Sequence, residues 1–174
     1  MKLLKHFIVL FSVVINSNLY SQIDSIGLQN FGKQIIISLS ESNCLNDSFF
    51  VSRDLLIRGI EESQMTDTIK KNRMLKGINS YWNIGLSKYI DTSKYLFAHF
   101  RLPSDSNSFD WTNVEFLKIE FFEVNNIFPF KQAHAYLYFK DNDLTYSINL
   151  KTIAFISNKW YILEINESSI YIRN

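Results

Sequence analysis

The sequence contains few of the residues that usually cross-link or interrupt a fold. Among 174 residues there are 1 Cys, 2 Pro and 5 Gly. Because Cys44 has no second cysteine to pair with, an internal disulfide is excluded and the fold must depend on its hydrophobic core. We expect Cys44 to be a small buried side chain, since free cysteines are usually buried. The scarcity of Pro and Gly favours long regular elements.

An excess of charge of either sign is also missing. Residues 1–21 contain Lys2 and Lys5 and no acid, so the rest of the chain keeps 16 of 18 basic side chains against 17 acidic ones. This balance gives no long-range field that would attract nucleic acid or an anionic membrane. Apolar residues make up 47% and charged residues 20%, which favours one well-packed domain over a disordered chain.

The first 21 residues have the layout of a secretory signal peptide. Two lysines precede an apolar run over residues 7–15 that only Ser12 interrupts. The run is about half of the ~20 residues needed to cross a bilayer, so a membrane anchor and a buried N-terminal element are the alternatives. We predict cleavage near Ser21, export to the periplasm or extracellular space without a stable membrane anchor, and a single domain over 22–174.

Helical spacing of apolar residues is confined to the N-terminal half. It predicts helices at 24–42, at 53–62 and from about residue 66 onward. The third helix carries an apolar side chain at every fourth position: Met74, Ile78, Trp82, Leu86 and Ile90. Because Gly85 interrupts this stripe, we expect the helix to kink or stop near it.

From Tyr95 onward the apolar period changes to two, which indicates β-strands. Strands are predicted over the segments 95–102, 114–124, 133–140, 144–155, 160–165 and, as a short last strand, 170–172. Residues 141–143 and 157–159 are predicted hairpin turns. The parity of the apolar residues slips near Lys151-Thr152, and a β-bulge there would bend the sheet.

Each strand is predicted to have one core face and one outer face. In the first long strand we expect Leu117, Ile119 and Phe121 to face the core, with Lys118, Glu120 and Phe122 opposite. In the predicted strand over 133–140, four apolar residues alternate with four residues that are aromatic or polar. The first set is Ala133, Ala135, Leu137 and Phe139, and the second is His134, Tyr136, Tyr138 and Lys140.

The order of elements predicts an α+β fold: N-terminal helices packed on a curved antiparallel sheet of five or six strands. Residues 135–139 and 159–163 resemble the closing hairpins of small exported members of the nuclear transport factor 2-like superfamily, which shares this shape with cystatins. The resemblance covers residues 24–166 and implies a cone with an internal cavity. Many such domains have a strand pair between their helices, and here only Ser48 to Val51 could supply one.

The same resemblance implies that a homodimer could form through the outer face of the sheet. Such an interface would bury Phe122 and either Tyr136 or Tyr138. The expected partner is otherwise an unidentified small molecule or protein.

Few residues point to catalysis. His99 and His134 lie on predicted strands, and His134 with Glu120 or Glu123 could form a base and its orienting acid. A solvent-facing histidine is the alternative. Tyrosines that could act as donors in an apolar cone are Tyr136, Tyr138, Tyr146 and Tyr161. None of them matches a catalytic motif of the superfamily, so no catalytic residue, metal ligand or cofactor is assigned.

Two surface features remain. Lys70, Lys71, Arg73 and Lys76 form a basic cluster on the third helix, which could contact an acidic partner or a phosphate, or be a solvated helix face. The tripeptides 24–26 and 67–69, each an Asp followed by Ser or Thr and then Ile, resemble an O-glycosylation sequon of exported bacterial proteins.

Three functions fit these observations. The first is an exported, non-catalytic binding or interaction domain in which Tyr and Trp supply contact area. The second is a small pocket enzyme with a His or carboxylate base. The third is an inhibitor or immunity-type protein that binds another protein.

Overall fold

The computed structural model describes residues 25–42, 44–98, 109–123, 129–165 and 170–173. The predicted signal peptide and His99 lie outside these ranges. Within them, four α-helices precede the sheet. They span 25–42 (α1), Arg53–Glu61 (α2), Thr68–Tyr81 (α3) and Ser87–Ala98 (α4). A π-helical segment, Trp82–Leu86, joins α3 to α4, so the chain stays helical from Thr68 to Ala98.

An antiparallel sheet follows the helices, so the predicted α+β class is confirmed. Its strands are Glu115–Glu123 (β1), Lys131–Asp141 (β2), Leu144–Ile156 (β3), Lys159–Glu164 (β4) and Ile170–Arg173 (β5). The order is β1-β2-β3-β4, and β5 also pairs with β3. Because β5 pairs with residues 145–148 of β3 and β4 with residues 152–156, these two strands share one side of β3.

The core face of β2 is the one that its sequence predicts. Ala133, Ala135, Leu137 and Phe139 are all 0% exposed. Both predicted turns are also confirmed, since β2 and β3 are joined at Asn142-Asp143 and β3 and β4 at Ser157-Asn158. Ser157 and Asn158 have φ values of 48° and 62°, the left-handed conformation that two-residue hairpin turns favour.

The predicted bulge in β3 is confirmed by the pairing register. Ala133 pairs with Ile153, but Ala135 pairs with Leu150, so Lys151 and Thr152 together oppose His134. A second irregularity lies between Phe116 and Lys118 of β1. It turns Leu117 outward, where it is 42% exposed, so the prediction that Leu117 faces the core is wrong.

The strand predicted to begin at Tyr95 is also wrong, because Tyr95–Ala98 is the last turn of α4. Residues 99–102 of that prediction lie outside the described residues. The buried positions of α4 are Ile90, Ser93 and Phe97, spaced three and four apart as on one face of a helix. The four residues Tyr95–Ala98 are too few to distinguish the helical period from the strand period of two. Phe97 is buried beside Phe50, with ring centroids 6.3 Å apart, and this contact favours the helix.

The segment Ser48 to Val51 does not form a strand pair. Asp47–Phe49 is a turn of 3₁₀-helix, and Phe50 makes a single parallel bridge to Ile162 of β4. The Val51 N–H donates to the Ile162 carbonyl at 3.0 Å. The bridge fixes the start of α2, whose N-cap Ser52 accepts a hydrogen bond from the Leu55 N–H.

Helix α1 approaches the edge strand β1 closely enough to hydrogen-bond its backbone at Ile119. The Gln29 side chain donates from Nε2 to the Ile119 carbonyl at 2.7 Å and accepts from the Ile119 N–H at 3.1 Å. The close approach depends on Gly32. A Cβ there would lie 2.8 Å from the Phe116 ring and 3.2 Å from Ile119 Cβ.

We therefore predict opposite effects for the same substitution at two helical glycines. Gly32→Ala should lower the free energy of unfolding by about 1–2 kcal/mol, because the new methyl overpacks the helix–sheet contact. Gly77→Ala, where a Cβ would meet nothing within 4 Å, should raise it by about 0.5–1 kcal/mol. Urea titration followed by circular dichroism measures both, and stabilisation by Gly32→Ala would contradict the close approach.

Candidate functional site

His134 and Glu120, a predicted base and its acid, are not brought together. His134 pairs across the strands with Phe122, whereas Glu120 pairs with Tyr136. The Glu120 carboxylate instead accepts a hydrogen bond from Lys118 Nζ at 2.6 Å. Of Glu123 the structure describes only its backbone pairing with Ala133. His134 is partly exposed on the outer face, as in the alternative interpretation.

The four tyrosines considered as donors do not converge on one cavity. Tyr146 is buried among Phe109, Trp111 and Phe139, and it stacks on Phe139 with centroids 5.5 Å apart. Burial, with the nearby Asp141 charge, raises the pKa of Tyr146, which keeps the phenol protonated. Tyr136 and Tyr138 lie on the other parity of β2.

The outer face of β2 is partly covered by its neighbours. Tyr138 is buried beneath Lys118, whose Nζ lies 5.1 Å from the ring centroid, and Tyr136 makes an edge-to-face contact with Phe122 at 6.4 Å. Tyr161, on β4, is partly exposed. These positions provide packing and contact surface, and they do not form a donor set.

The expectation that Cys44 is buried is wrong. Cys44 is exposed, in the turn that follows α1, and its Sγ lies 3.7 Å from Ser42 Oγ. The adjacent Leu45 takes the buried position instead. One apolar side chain is enough to anchor this short connection, so the thiol is left at the surface.

The basic cluster of α3 is at the surface. Lys70, Arg73 and Lys76 are exposed, and Lys71 Nζ donates to the Glu61 carbonyl at 2.6 Å. Asp67 caps the helix by accepting from the Lys70 N–H at 2.9 Å. Within the described part of the chain, no carboxylate pairs with the side chains of Lys70, Arg73 or Lys76.

Both sequon-like tripeptides lie at helix starts. Ser25 is the first residue of α1 and is exposed, and Thr68 is the exposed first residue of α3. Asp24 lies outside the described residues.

An apolar groove runs along α3, the π-helical segment and α4. Its volume is about 640 Å³, and Arg73 and Glu164 contribute charged side chains to it. The rest of its lining is mostly apolar and is formed by Met74, Gly77, Ile78, Tyr81, Ile84, Gly85, Leu86 and Tyr89. We call this feature the α3–α4 groove.

The π-helical segment shapes this groove. The Ser87 N–H donates to the Trp82 carbonyl, five residues back, and Ser87 Oγ donates to the same oxygen at 3.1 Å. A turn with one extra residue widens the helix, and such segments are frequent at functional sites. The expected break near Gly85 is thus a local widening, and the helix continues beyond it.

The strict four-residue spacing of the apolar stripe was a signal of this widening. In an ideal α-helix each step of four residues rotates a stripe by about 40°, so four steps would carry it off the buried face. The extra residue in the π-helical segment corrects the phase. Sequence analysis missed Ile84 and Tyr81, which fall outside the stripe and line the groove together with three residues of the stripe, Met74, Ile78 and Leu86.

Glu164 connects the groove to the sheet. Its carboxylate accepts a hydrogen bond from Lys151 Nζ at 2.6 Å. This hydrogen bond raises the pKa of Lys151 against a smaller opposing effect of burial. Lys151 belongs to the β3 bulge, so the bulge positions the cation that holds Glu164.

Among the described residues, no group of three or more His, Cys, Asp or Glu side chains could hold a metal ion. None of the helices described is both long and apolar enough to span a membrane. Comparison of the chain with protein-family models, with curated proteins and with solved structures finds no match.

Proposed function

We propose that this chain is an exported, non-catalytic interaction domain whose α3–α4 groove binds an acidic, amphipathic segment of a partner protein. The observation that carries the proposal is the exposure of large apolar side chains along the groove. Tyr81, Ile84 and Tyr89 are 70%, 85% and 58% exposed. Contiguous exposed apolar surface of this kind usually marks an interaction site, because it is unfavourable in water.

Charge indicates which kind of partner fits. Helix α3 carries four basic residues and no acidic one, and three of its cations have no carboxylate partner in the described part of the chain. Arg73 belongs both to this cluster and to the groove lining. An apolar segment flanked by carboxylates would therefore complement both features, and such complementarity favours rapid association and correct orientation.

The enzyme alternative lacks a comparable constellation. A base and its orienting acid should be within hydrogen-bond reach, and the Glu120 carboxylate is bound to Lys118 instead of His134. The proposed interaction with another protein covers the inhibitor or immunity-type role as well, because that role differs only in the identity of the partner.

We also propose that the sheet has the cone shape of the nuclear transport factor 2-like superfamily, with five or six strands. Support comes from the β3 bulge, which bends a strand, and from the 13-residue length of β3. Ala135, Leu137 and Phe139 are fully buried on the helix-facing side. A packed interior suits a binding scaffold better than a pocket enzyme.

A second copy of the chain is a further partner that we propose for the outer face of the sheet. Phe122 is 62% exposed there and pairs edge-to-face with Tyr136. This surface is separate from the α3–α4 groove, so its variants serve as controls for groove binding.

Export predicts a defined mature product. When the full chain is expressed in a bacterial host, the periplasmic or extracellular fraction should contain a species that begins near Gln22. Intact-mass measurement and N-terminal sequencing test this. A product that keeps Met1 and stays in the cytoplasm would contradict the proposed export.

Binding to the groove is tested with two labelled peptides of one design. Both carry Leu at helical spacing, with Glu at the other positions of one peptide and Lys in its twin. Fluorescence anisotropy should give the Glu peptide at least about tenfold tighter binding, because only it complements α3. Ile84→Glu should weaken binding of the Glu peptide by about tenfold or more. Arg73→Gln should weaken it several-fold and reduce the dependence of the affinity on salt.

Phe122→Glu is the matched control, since it places the same charge on an exposed apolar position of the sheet. It should leave the affinity within about twofold. Equal binding of both peptides, or no effect of Ile84→Glu, would contradict the proposed partner chemistry. Size measurements showing a dimer that Ile84→Glu dissociates would mean that a second copy occupies the groove instead.

A further inference from the structure

A separate cavity of about 330 Å³ lies between α1 and the β3–β4 hairpin. Four aromatic rings line it in two pairs. Phe31 and Phe49 have centroids 6.3 Å apart at 42°, and Phe155 and Trp160 have centroids 5.1 Å apart at 52°. The volume is near the lower end of the roughly 300–1,000 Å³ typical of small-molecule sites.

One buried polar atom in this wall has no partner. The Trp160 side chain is 4% exposed, and its Nε1–H makes no hydrogen bond. A buried donor left unpaired costs about 1–3 kcal/mol, so buried indole nitrogens usually have an acceptor. Within the part of the chain that the structure describes, Trp160 is thus a donor without an acceptor.

Gly27 leaves space beside this donor. It lies on α1 and lines the same cavity, and a Cβ added there would be 3.9 Å from Trp160 Nε1. A larger side chain at this position would cover the indole edge. Because residue 27 is glycine, no side chain intervenes between α1 and the indole edge at this point.

The polar lining restricts the charge of an occupant. Asn30, Gln34, Ser48 and Asn158 are neutral, and Lys159 is the one ionisable group among the lining residues. A cationic ligand would therefore meet a like charge and no carboxylate. A neutral or anionic ligand would find amide, hydroxyl, ammonium and indole donors around an aromatic wall.

We infer that this cavity binds a monocyclic small molecule whose carbonyl or carboxylate oxygen accepts the Trp160 indole N–H. The ring of the ligand packs among the Phe31, Phe49 and Phe155 side chains, and Lys159 favours the anionic forms. This site is independent of the α3–α4 groove, which lies on other helices.

Indole resonances give a direct test. The ¹⁵N-labelled mature chain should give one indole cross-peak each for Trp82, Trp111 and Trp160, and the peak that Trp160→Phe removes is that of Trp160. Titration with sodium benzoate and with benzamide should shift the Trp160 indole proton, because it gains an acceptor. The Trp111 signal should stay in place, and benzylamine, with the same ring and a positive charge, should bind at least about tenfold more weakly.

Two variants and a control separate the site from general effects. Gly27→Val should lower the affinity for benzoate and for benzamide by about fivefold or more, since the new side chain approaches the indole edge. Gly77→Val, on another helix, should leave both affinities unchanged. Lys159→Ala, at the exposed first position of β4, should weaken the binding of benzoate several-fold and that of benzamide little. Each variant is first checked for an otherwise unchanged amide spectrum.

Three results would overturn the inference. The first is that neither benzoate nor benzamide moves the Trp160 signal at millimolar concentration. The second is that benzylamine moves it equally, which would indicate non-specific adsorption. The third is that Gly27→Val leaves the affinities unchanged. The acidic peptide is proposed to bind along the π-helical segment that begins at Trp82, so it should shift the Trp82 signal and leave the Trp160 signal in place. Failure of one site and failure of the other therefore give different spectra.

Discussion

The fold depends on how α1 completes the open edge of the sheet. An edge strand has unpaired backbone groups that invite another chain, and proteins usually cover or protect them. Here the Gln29 amide meets both backbone groups of Ile119, as a neighbouring strand would. Gly32, one turn later, lets the helix lie close enough for this pairing, because any side chain would strike Ile119 or Phe116. The Gln29 amide thus fixes the position of α1 along the edge strand β1.

Helix α4 is attached to the sheet by a separate set of hydrogen bonds. The Ile165 N–H donates to Ser93 Oγ at 3.1 Å, and Ser93 Oγ donates to the Tyr89 carbonyl at 2.9 Å. This relay connects the end of β4 to the helical turn that carries Tyr89, a residue of the groove. Ile90 and Phe97 anchor α4 in the core, whereas Tyr81 and Ile84 are exposed. Their exposure is the observation on which the proposed interaction rests.

The sequence predicted those features that depend on local period. Alternation identified the buried face of β2, and the parity slip located the bulge at Lys151-Thr152, because one extra residue reverses every later side chain. It failed at Tyr95, where four residues fit both periods, and at Leu117, where an unrecognised bulge turned the side chain outward. The Trp160 cavity joins residues distant in sequence, so no local pattern could reveal it. The α3–α4 groove is mostly local to residues 73–89, but the exposure of Tyr81 and Ile84 and the contribution of Glu164 appear only in the packed structure. His134 and Glu120 were paired only by residue type, and register separated them.

The most direct test of the central claim is amide hydrogen exchange at Ile119, followed by NMR in the native chain and in Gln29→Ala. If the Gln29 side chain completes the edge of the sheet, Ile119 exchanges slowly in the native chain. Gln29→Ala should speed it by about tenfold or more, while Leu137 in β2 stays protected and Gln34→Ala, on the exposed side of α1, has no effect. Fast exchange of Ile119 in the native chain, or an unchanged rate in Gln29→Ala, would contradict this account of how helix and sheet are held together.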